Sequence, residues 1–221
     1  MAFHYSPKIV TDGLVFAVDA ANKKSYSGSG TIWKDLSGYG NDGTLVNGPT
    51  FDSTNGGSIV FDGSNDYGTI EYTMPSQSST TTFTWNLWIY LYSGNASNDL
   101  IFGNRYGAQN LQFIKITPTQ WEYYGSTSQN IPYNIPTNQW VNICVVKNQG
   151  ISYYYSNASQ VGTIFMTNNI VNNPIFMGAD AYSGIQEASN VKIASAVIYN
   201  RALSASEVSQ NYNALKSRFG L

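Results

Sequence analysis

The residues able to do acid–base or nucleophilic chemistry in this chain are few and poorly spaced for it. The single histidine, His4, stands in an N-terminal stretch ahead of the first strand-like run. The single cysteine, Cys144, lies inside the apolar run Asn142-Ile143-Cys144-Val145-Val146. A nucleophilic centre needs a base within hydrogen-bond reach of a Ser or Cys, held in turn by a third group. One imidazole at a peripheral terminus does not meet that demand. A lone thiol in an apolar strand behaves as a small hydrophobe, and it forms neither an internal disulfide nor a multi-cysteine zinc site. Glycoside hydrolysis requires two carboxyl groups about 5–10 Å apart. The four glutamates, Glu71, Glu122, Glu187 and Glu207, are remote from one another in sequence, and Asp62 and Asp66 straddle a turn. Carboxylates on different strands could still converge, so this spacing lowers the case for a hydrolase without closing it. The expectation is a chain that is not an enzyme and has no catalytic residues.

Ligand-holding groups are better represented. Asp62-Gly63-Ser64-Asn65-Asp66, and Asp35 with Asn41 and Asp42, are oxygen-rich enough to offer hard ligands to calcium. The same residue types make turns by bonding their own backbone, which is the preferred reading here, and neither a metal nor a cofactor is expected. Gly28-Ser29-Gly30 and Gly56-Gly57 lack the helix and the Lys-Ser/Thr of a phosphate-cradling loop. Sugars are held by aromatic faces beside amides and carboxylates. Tyr106, next to Arg105 in a Gly-flanked loop, and Trp121 and Tyr123 in an aromatic strand are the candidate carbohydrate-binding residues. Strand alternation sends 121 and 123 one way and Tyr124 the other. Core packing explains these rings equally well.

The elements that must position such groups are strands. Among 221 residues 42% are hydrophobic and only 11% charged, and 20 glycines with 17 tyrosines favour short strands and many turns over helices. The length suits one large β-sandwich. Strand-like runs occur at Gly13–Asp19, Ser58–Phe61, Tyr67–Tyr72, Phe83–Tyr92, Leu111–Ile116, Trp121–Gly125, Trp140–Lys147, Ile151–Ser156, Ile175–Gly178 and Val191–Tyr199. Three pairs read as hairpins: Ser58–Phe61 with Tyr67–Tyr72, Leu111–Ile116 with Trp121–Gly125, and Trp140–Lys147 with Ile151–Ser156. In Phe83–Tyr92, residues 83, 85, 87, 89 and 91 make one apolar face, while the other turns aromatic at Trp88, Tyr90 and Tyr92. Such a strand is either covered on both sides or offers one face to a ligand, and cover is the preferred reading.

One helix closes the chain. Ser204-Ala205-Ser206-Glu207 fits a capping box, and Val208, Tyr212, Leu215 and Phe219 form one stripe expected to dock on the sandwich edge, with Gly220 past the helix end. A net charge of −2 with scattered basic residues excludes a phosphate-neutralising stripe, so no nucleic-acid partner is expected. No apolar run reaches the roughly 18 residues of a membrane span, and the N-terminal residues show no secretory pattern. Synthesis in a cytoplasm without a signal peptide is the expectation, and the sequons Asn95-Ala96-Ser97 and Asn157-Ala158-Ser159 are then chance matches.

Several segments carry a resemblance. Gly13–Ala20, Trp33–Leu45 and Val60–Tyr67, with Phe83–Leu91, Asn138–Asn142 and Ile198-Tyr199-Asn200-Arg201-Ala202-Leu203-Ser204, together resemble a laminin G-like domain of the concanavalin A-like lectin/glucanase superfamily. That resemblance implies an all-β, two-sheet antiparallel jelly roll with a short C-terminal helix. It divides the chain into an arm, residues 1–12, and a domain, residues 13–221, with the helix from about 204. Pro7–Leu14 and Gln210–Leu221 are similar to versions carried by tailed bacteriophages among virion structural proteins. The implied role is a non-enzymatic virion surface protein, a capsid decoration or accessory protein, contacting other virion proteins and copies of itself. The alternative is an adhesion module on a tail or fibre that holds host surface polysaccharide. Two departures stand out. The Glu-x-Asp-x-Glu strand of the glucanases is missing, and Lys192–Val197 lacks the acids that many laminin G-like relatives carry there, which argues against calcium.

Overall fold

The computed structural model describes residues 8–73, 80–96, 99–103, 113–117, 120–124, 128–165, 174–180 and 184–221. Among these, strands build two eight-stranded antiparallel sheets. The first contains β1 (Leu14–Asp19), β4 (Thr50–Asp52), β5 (Ser58–Asp62), β7 (Thr82–Leu91), β12 (Trp140–Asn148), β13 (Ile151–Ser156), β14 (Ser159–Phe165) and β16 (Asn190–Tyr199). The second contains β2 (Ile32–Trp33), β3 (Gly43–Val46), β6 (Tyr67–Thr73), β8 (Asp99–Gly103), β9 (Phe113–Thr117), β10 (Gln120–Tyr124), β11 (Ser128–Ile131) and β15 (Pro174–Met177). The helix α1 (Ala205–Leu215) follows, ending in a 3₁₀ turn at Lys216–Phe219. The expected two-sheet sandwich with one C-terminal helix is what the chain forms.

The core lies between the sheets and follows the period-two pattern. Phe83, Trp85, Leu87, Ile89 and Leu91 of β7, with Val141, Ile143 and Val145 of β12, face Phe102, Trp121, Ile175 and Met177 of the second sheet. Trp85 meets Phe102 edge-on at 5.2 Å, tying the layers. The β9–β10 and β12–β13 hairpins form in the expected places. The third does not. β5 pairs with β16 and β4, whereas β6 pairs with β3 and β15 in the opposite sheet. The turn Asp62–Asp66 therefore carries the chain from one sheet to the other.

The outer face of the first sheet is covered around Trp88. Trp88 of β7 is 1% exposed, stacked on Phe219 at 4.3 Å and on Tyr212 at 5.6 Å. The helix stripe thus docks on a sheet face, where a second apolar surface was waiting, and not on the edge. Its start is held by the expected capping box: Glu207 N–H donates to Ser204 Oγ and Ser204 N–H to Glu207 Oε2. Gly220 caps the end in the left-handed region at φ 75°. Residues 8–12 of the arm also lie against this face. Val10 N–H donates to Asn211 Oδ1, Tyr199 Oη donates to the Val10 carbonyl, and Gln210 Nε2 donates to the Lys8 carbonyl.

Candidate functional site

Strand register decides where open loops gather. Asp62 pairs with Asn190, Leu91 with Val191, and Tyr90 with Trp140, so the end of β5, the end of β7 and the starts of β12 and β16 share one end of the sandwich. Leu14 and Thr84 pair with Tyr199 at the other end, where the helix leaves. The loops at the first end enclose a two-lobed groove. One lobe, of about 540 Å³, runs between Tyr92–Ala96 and Asn134–Thr137. The other, of about 440 Å³, runs between Asp62–Ser64, Asp99 and Ile185–Asn190, and both share Gly94, Asn95 and Ala96.

Asn95 fixes the wall between the lobes. Its Nδ2 donates to the carbonyls of Tyr92 at 2.8 Å and Asn190 at 3.1 Å, and its Oδ1 accepts from Asn190 N–H at 2.6 Å. Asp99 Oδ2 accepts from Ala96 N–H, and Asn138, in the left-handed region, exchanges hydrogen bonds with Ser93. Asp62 Oδ1 accepts from Ser64 N–H across the inter-sheet turn. These bonds set the loop backbones, while the exposed side chains of Ser64, Asn134 and Thr137 remain along the groove. Burial, reinforced by the nearby Asp62 charge, raises the Asp66 carboxyl above the usual range. Tyr92, half-buried, supplies an aromatic ring at the rim. It meets Tyr90 edge-on at 5.2 Å, and Tyr90 meets Trp140 at 5.7 Å, so the groove opens onto an aromatic strip. Lys192 Nζ lies 5.2 Å from the Tyr90 ring and pairs with Asp52, whose carboxyl it holds down to about 2.

The residues chosen from sequence fall elsewhere. Trp121 is fully buried, with its ring set at 88° against Tyr154 in the inter-sheet core, so it offers no face to a sugar. The alternation that makes one side of a strand aromatic also points that side at the opposite sheet. Tyr106 lies outside the described residues, as do His4 and Arg105. For Tyr123 the backbone is described, paired with Gln129, and the side chain is not. Cys144 is buried and its thiol is pushed up to about 12 by burial, matching the inert reading. The oxygen-rich loops weighed as calcium ligands make the turn hydrogen bonds of the preferred reading. Asp35 accepts from the amides of Ala17, Ser37 and Asn41 and from the Ser37 hydroxyl, while Asp42 accepts from Asp35 N–H and pairs with Lys34. Among the described residues no three His, Cys, Asp or Glu side chains come together in a metal-holding group.

The segment Tyr199–Ser204 has a structural role. Tyr199 bridges Val10 and Asn211, Arg201 pairs with Glu207 and Asp12, and Ser204 caps α1. Sequence reasoning did not assign Tyr92, Asn95, Asn134 and Asn190 to a binding site, because three separate loops supply them and only strand register unites them.

Two antiparallel sheets with a helix over one outer face and a loop-built groove at one end define a concanavalin A-like jelly roll. The chain belongs to the laminin G family of the concanavalin A-like lectin/glucanases superfamily, whose family model matches residues 62–209. No curated protein matches it in sequence. Among solved structures it is similar to the binding domain of Paraclostridial Mosquitocidal Protein 1, with TM-score 0.71 and 19% identity over 92% of this chain and 52% of that one. It is also similar to domain 4 of AbnA, an extracellular arabinanase from Geobacillus stearothermophilus in complex with arabinotriose, with TM-score 0.69 and 16% identity over 90% of this chain and 98% of that one. A third is botulinum neurotoxin type C, described as dependent on two ganglioside molecules to enter cells, with TM-score 0.70 and 15% identity over 93% and 52% of the two chains. This chain thus spans about half of the two toxin chains and nearly all of the arabinanase domain.

Proposed function

We propose that this chain is a non-enzymatic carbohydrate-binding domain that holds surface polysaccharide in the groove between Asp62–Ser64, Tyr92–Ala96, Asn134–Thr137 and Ile185–Asn190. The observation that carries the reading is the groove's composition: amide, hydroxyl and carboxylate groups on loops braced by Asn95, with the Tyr92 ring at the rim. Sugars present alternating hydroxyls and apolar C–H faces, and braced polar loops beside one aromatic ring suit both. The described neighbours with arabinotriose and ganglioside ligands support the class of ligand. Retention on a glycan array should fall at least tenfold, about 1.4 kcal/mol, in Tyr92→Ala. Asn134→Ala should weaken it further while the melting temperature holds. Undiminished retention in both variants removes the groove from the argument.

The setting we propose is the surface of a tailed-phage particle, with the protein a decoration or accessory component. Its support is the resemblance of Pro7–Leu14 and Gln210–Leu221 to phage virion proteins, together with the contacts that join these two segments. Immunogold labelling with antibody to this chain should decorate particle heads. Label confined to tails or fibres would favour adhesion, and unlabelled particles would remove the virion reading.

A further inference from the structure

The aromatic strip beside the groove is laid out by strand register. Leu87, Ile89 and Leu91 point into the core, so Trp88 and Tyr90 of β7 face outward, as does Tyr92 just past its end. The same alternation turns Trp140 of β12, Lys192 of β16 and Val60 of β5 to this face. Pairing then sets Trp140, Tyr90, Lys192 and Val60 in one row across neighbouring strands, and none of them is buried. The C-terminal cover stops at this row. Phe219 lies on Trp88 and touches Trp140 at 4.6 Å, while Tyr90 and Tyr92 stay part-exposed.

The rings of the strip are held in place. Trp140 Nε1 donates to Asn55 Oδ1 at 3.1 Å, and edge contacts join Tyr92 to Tyr90 and Tyr90 to Trp140. Lys192 Nζ lies 5.2 Å from the Tyr90 ring and 5.6 Å from the Tyr92 ring while it pairs with Asp52. Side chains fixed beforehand lose little rotamer freedom on contact, which lowers the cost of binding. The tryptophans also divide by burial. Trp33, Trp85, Trp88 and Trp121 are at most 1% exposed, and Trp140 alone of the five reaches the surface.

Tyr92 belongs to both surfaces, as the rim of one groove lobe and as the end of the strip. Resting on the carbohydrate reading of the groove, we propose that the strip continues it and that the domain holds an internal stretch of a neutral polysaccharide chain. Successive units lie in the lobe beside Asn134–Thr137, on Tyr92, and over Tyr90 and Trp140. Gly94–Ala96 joins the two lobes and Tyr92 joins them to the strip, which makes one open path and not a pocket closed around a chain end. The strip's chemistry selects this occupant. Lys192 and Asp52 neutralise each other, so the row offers no net charge to an acidic chain. A hydrocarbon partner would take that ion pair out of water and return no hydrogen bonds to it. A neutral sugar lays C–H faces on the rings and hydroxyls beside the pair.

The test places linear gluco-, xylo-, manno- and arabino-oligosaccharides, from disaccharide to hexasaccharide, on an array and applies the full chain. For a retained sugar the hexasaccharide should bind roughly tenfold more tightly than the disaccharide, and Tyr90→Ala should remove most of that gain while leaving the disaccharide unchanged. A second measurement needs no variant: the hexasaccharide should shield Trp140 fluorescence from iodide quenching, and the disaccharide should not. Retention that falls in Tyr92→Ala but is equal at all lengths, with Trp140 still quenched, overturns the strip and keeps the groove. A length gain that survives Tyr90→Ala does the same. Undiminished retention in both Tyr92→Ala and Asn134→Ala, or no retention of any of these sugars, overturns groove and strip together.

Discussion

Replacing Phe219 by alanine tests whether the C-terminal segment is a structural cover for the first sheet. Phe219 is 8% exposed, stacked on Trp88 at 4.3 Å and tilted against Trp140 at 4.6 Å. Its ring removes about 150 Å² from water beyond the β-carbon, worth about 4 kcal/mol at roughly 25 cal/mol per Å². Ring stacking adds about 1 kcal/mol. Against this, a site near the surface admits water and relaxes, which returns about 2 kcal/mol of the loss. The segment cannot swing far, because Arg218 donates to Asp19 and to the carbonyls of Asn55 and Gly57. The expected loss is therefore about 3 kcal/mol by urea denaturation, or a melting temperature lower by about 6–12 °C in a chain of this size. Trp88 emission should shift to the red as its covered face meets water. A loss below about 1 kcal/mol with unchanged emission would mean that the sheet face needs no cover, and the burial argument for β7 would fail.

Two further perturbations follow from particular contacts. Glu207 is held down to about 2, first by hydrogen bonds from Arg201 and then by Ser204 N–H. A carboxyl lowered on folding stabilises fully above the ordinary glutamate range, about 4.3, and that contribution fades as pH falls toward the folded value. Stability measured from pH 5 down to about 2 should thus decline less steeply in Glu207→Gln than in the parent chain, and equal slopes would reject the pairing. Among the described residues the buried Trp121 Nε1 has no hydrogen-bond partner, so Trp121→Phe sacrifices volume alone. It should cost roughly 1–2 kcal/mol and leave glycan retention intact; lost retention in a folded variant would return Trp121 to the binding site.

Local pattern was sufficient for the helix and for ten of the sixteen strands among the described residues, but it gave no strand reading for β2, β3, β4, β8, β11 and β14. Alternation in Phe83–Leu91 marked the core face of β7, Ser204 and Glu207 marked the helix start, and short turns marked the β9–β10 and β12–β13 hairpins. The aromatic second face of β7 left either cover or a ligand-facing surface open, with cover preferred; the helix covers Trp88, while Tyr90 and Tyr92 stay part-exposed. These signals are legible because side-chain period, caps and tight turns depend on residues a few positions apart.

Which partners those elements take was decided only in three dimensions. Ser58–Asp62 and Tyr67–Thr73 look like adjacent strands and enter opposite sheets, since pairing depends on what β16, β3 and β15 offer from elsewhere in the chain. The inward turn of Trp121 depends on β10 facing β7 and β13 across the sandwich, and the groove exists because register gathers four loops at one end. Alternation says that two faces differ. It does not say which one meets water, because that is set by the sheet packed against it.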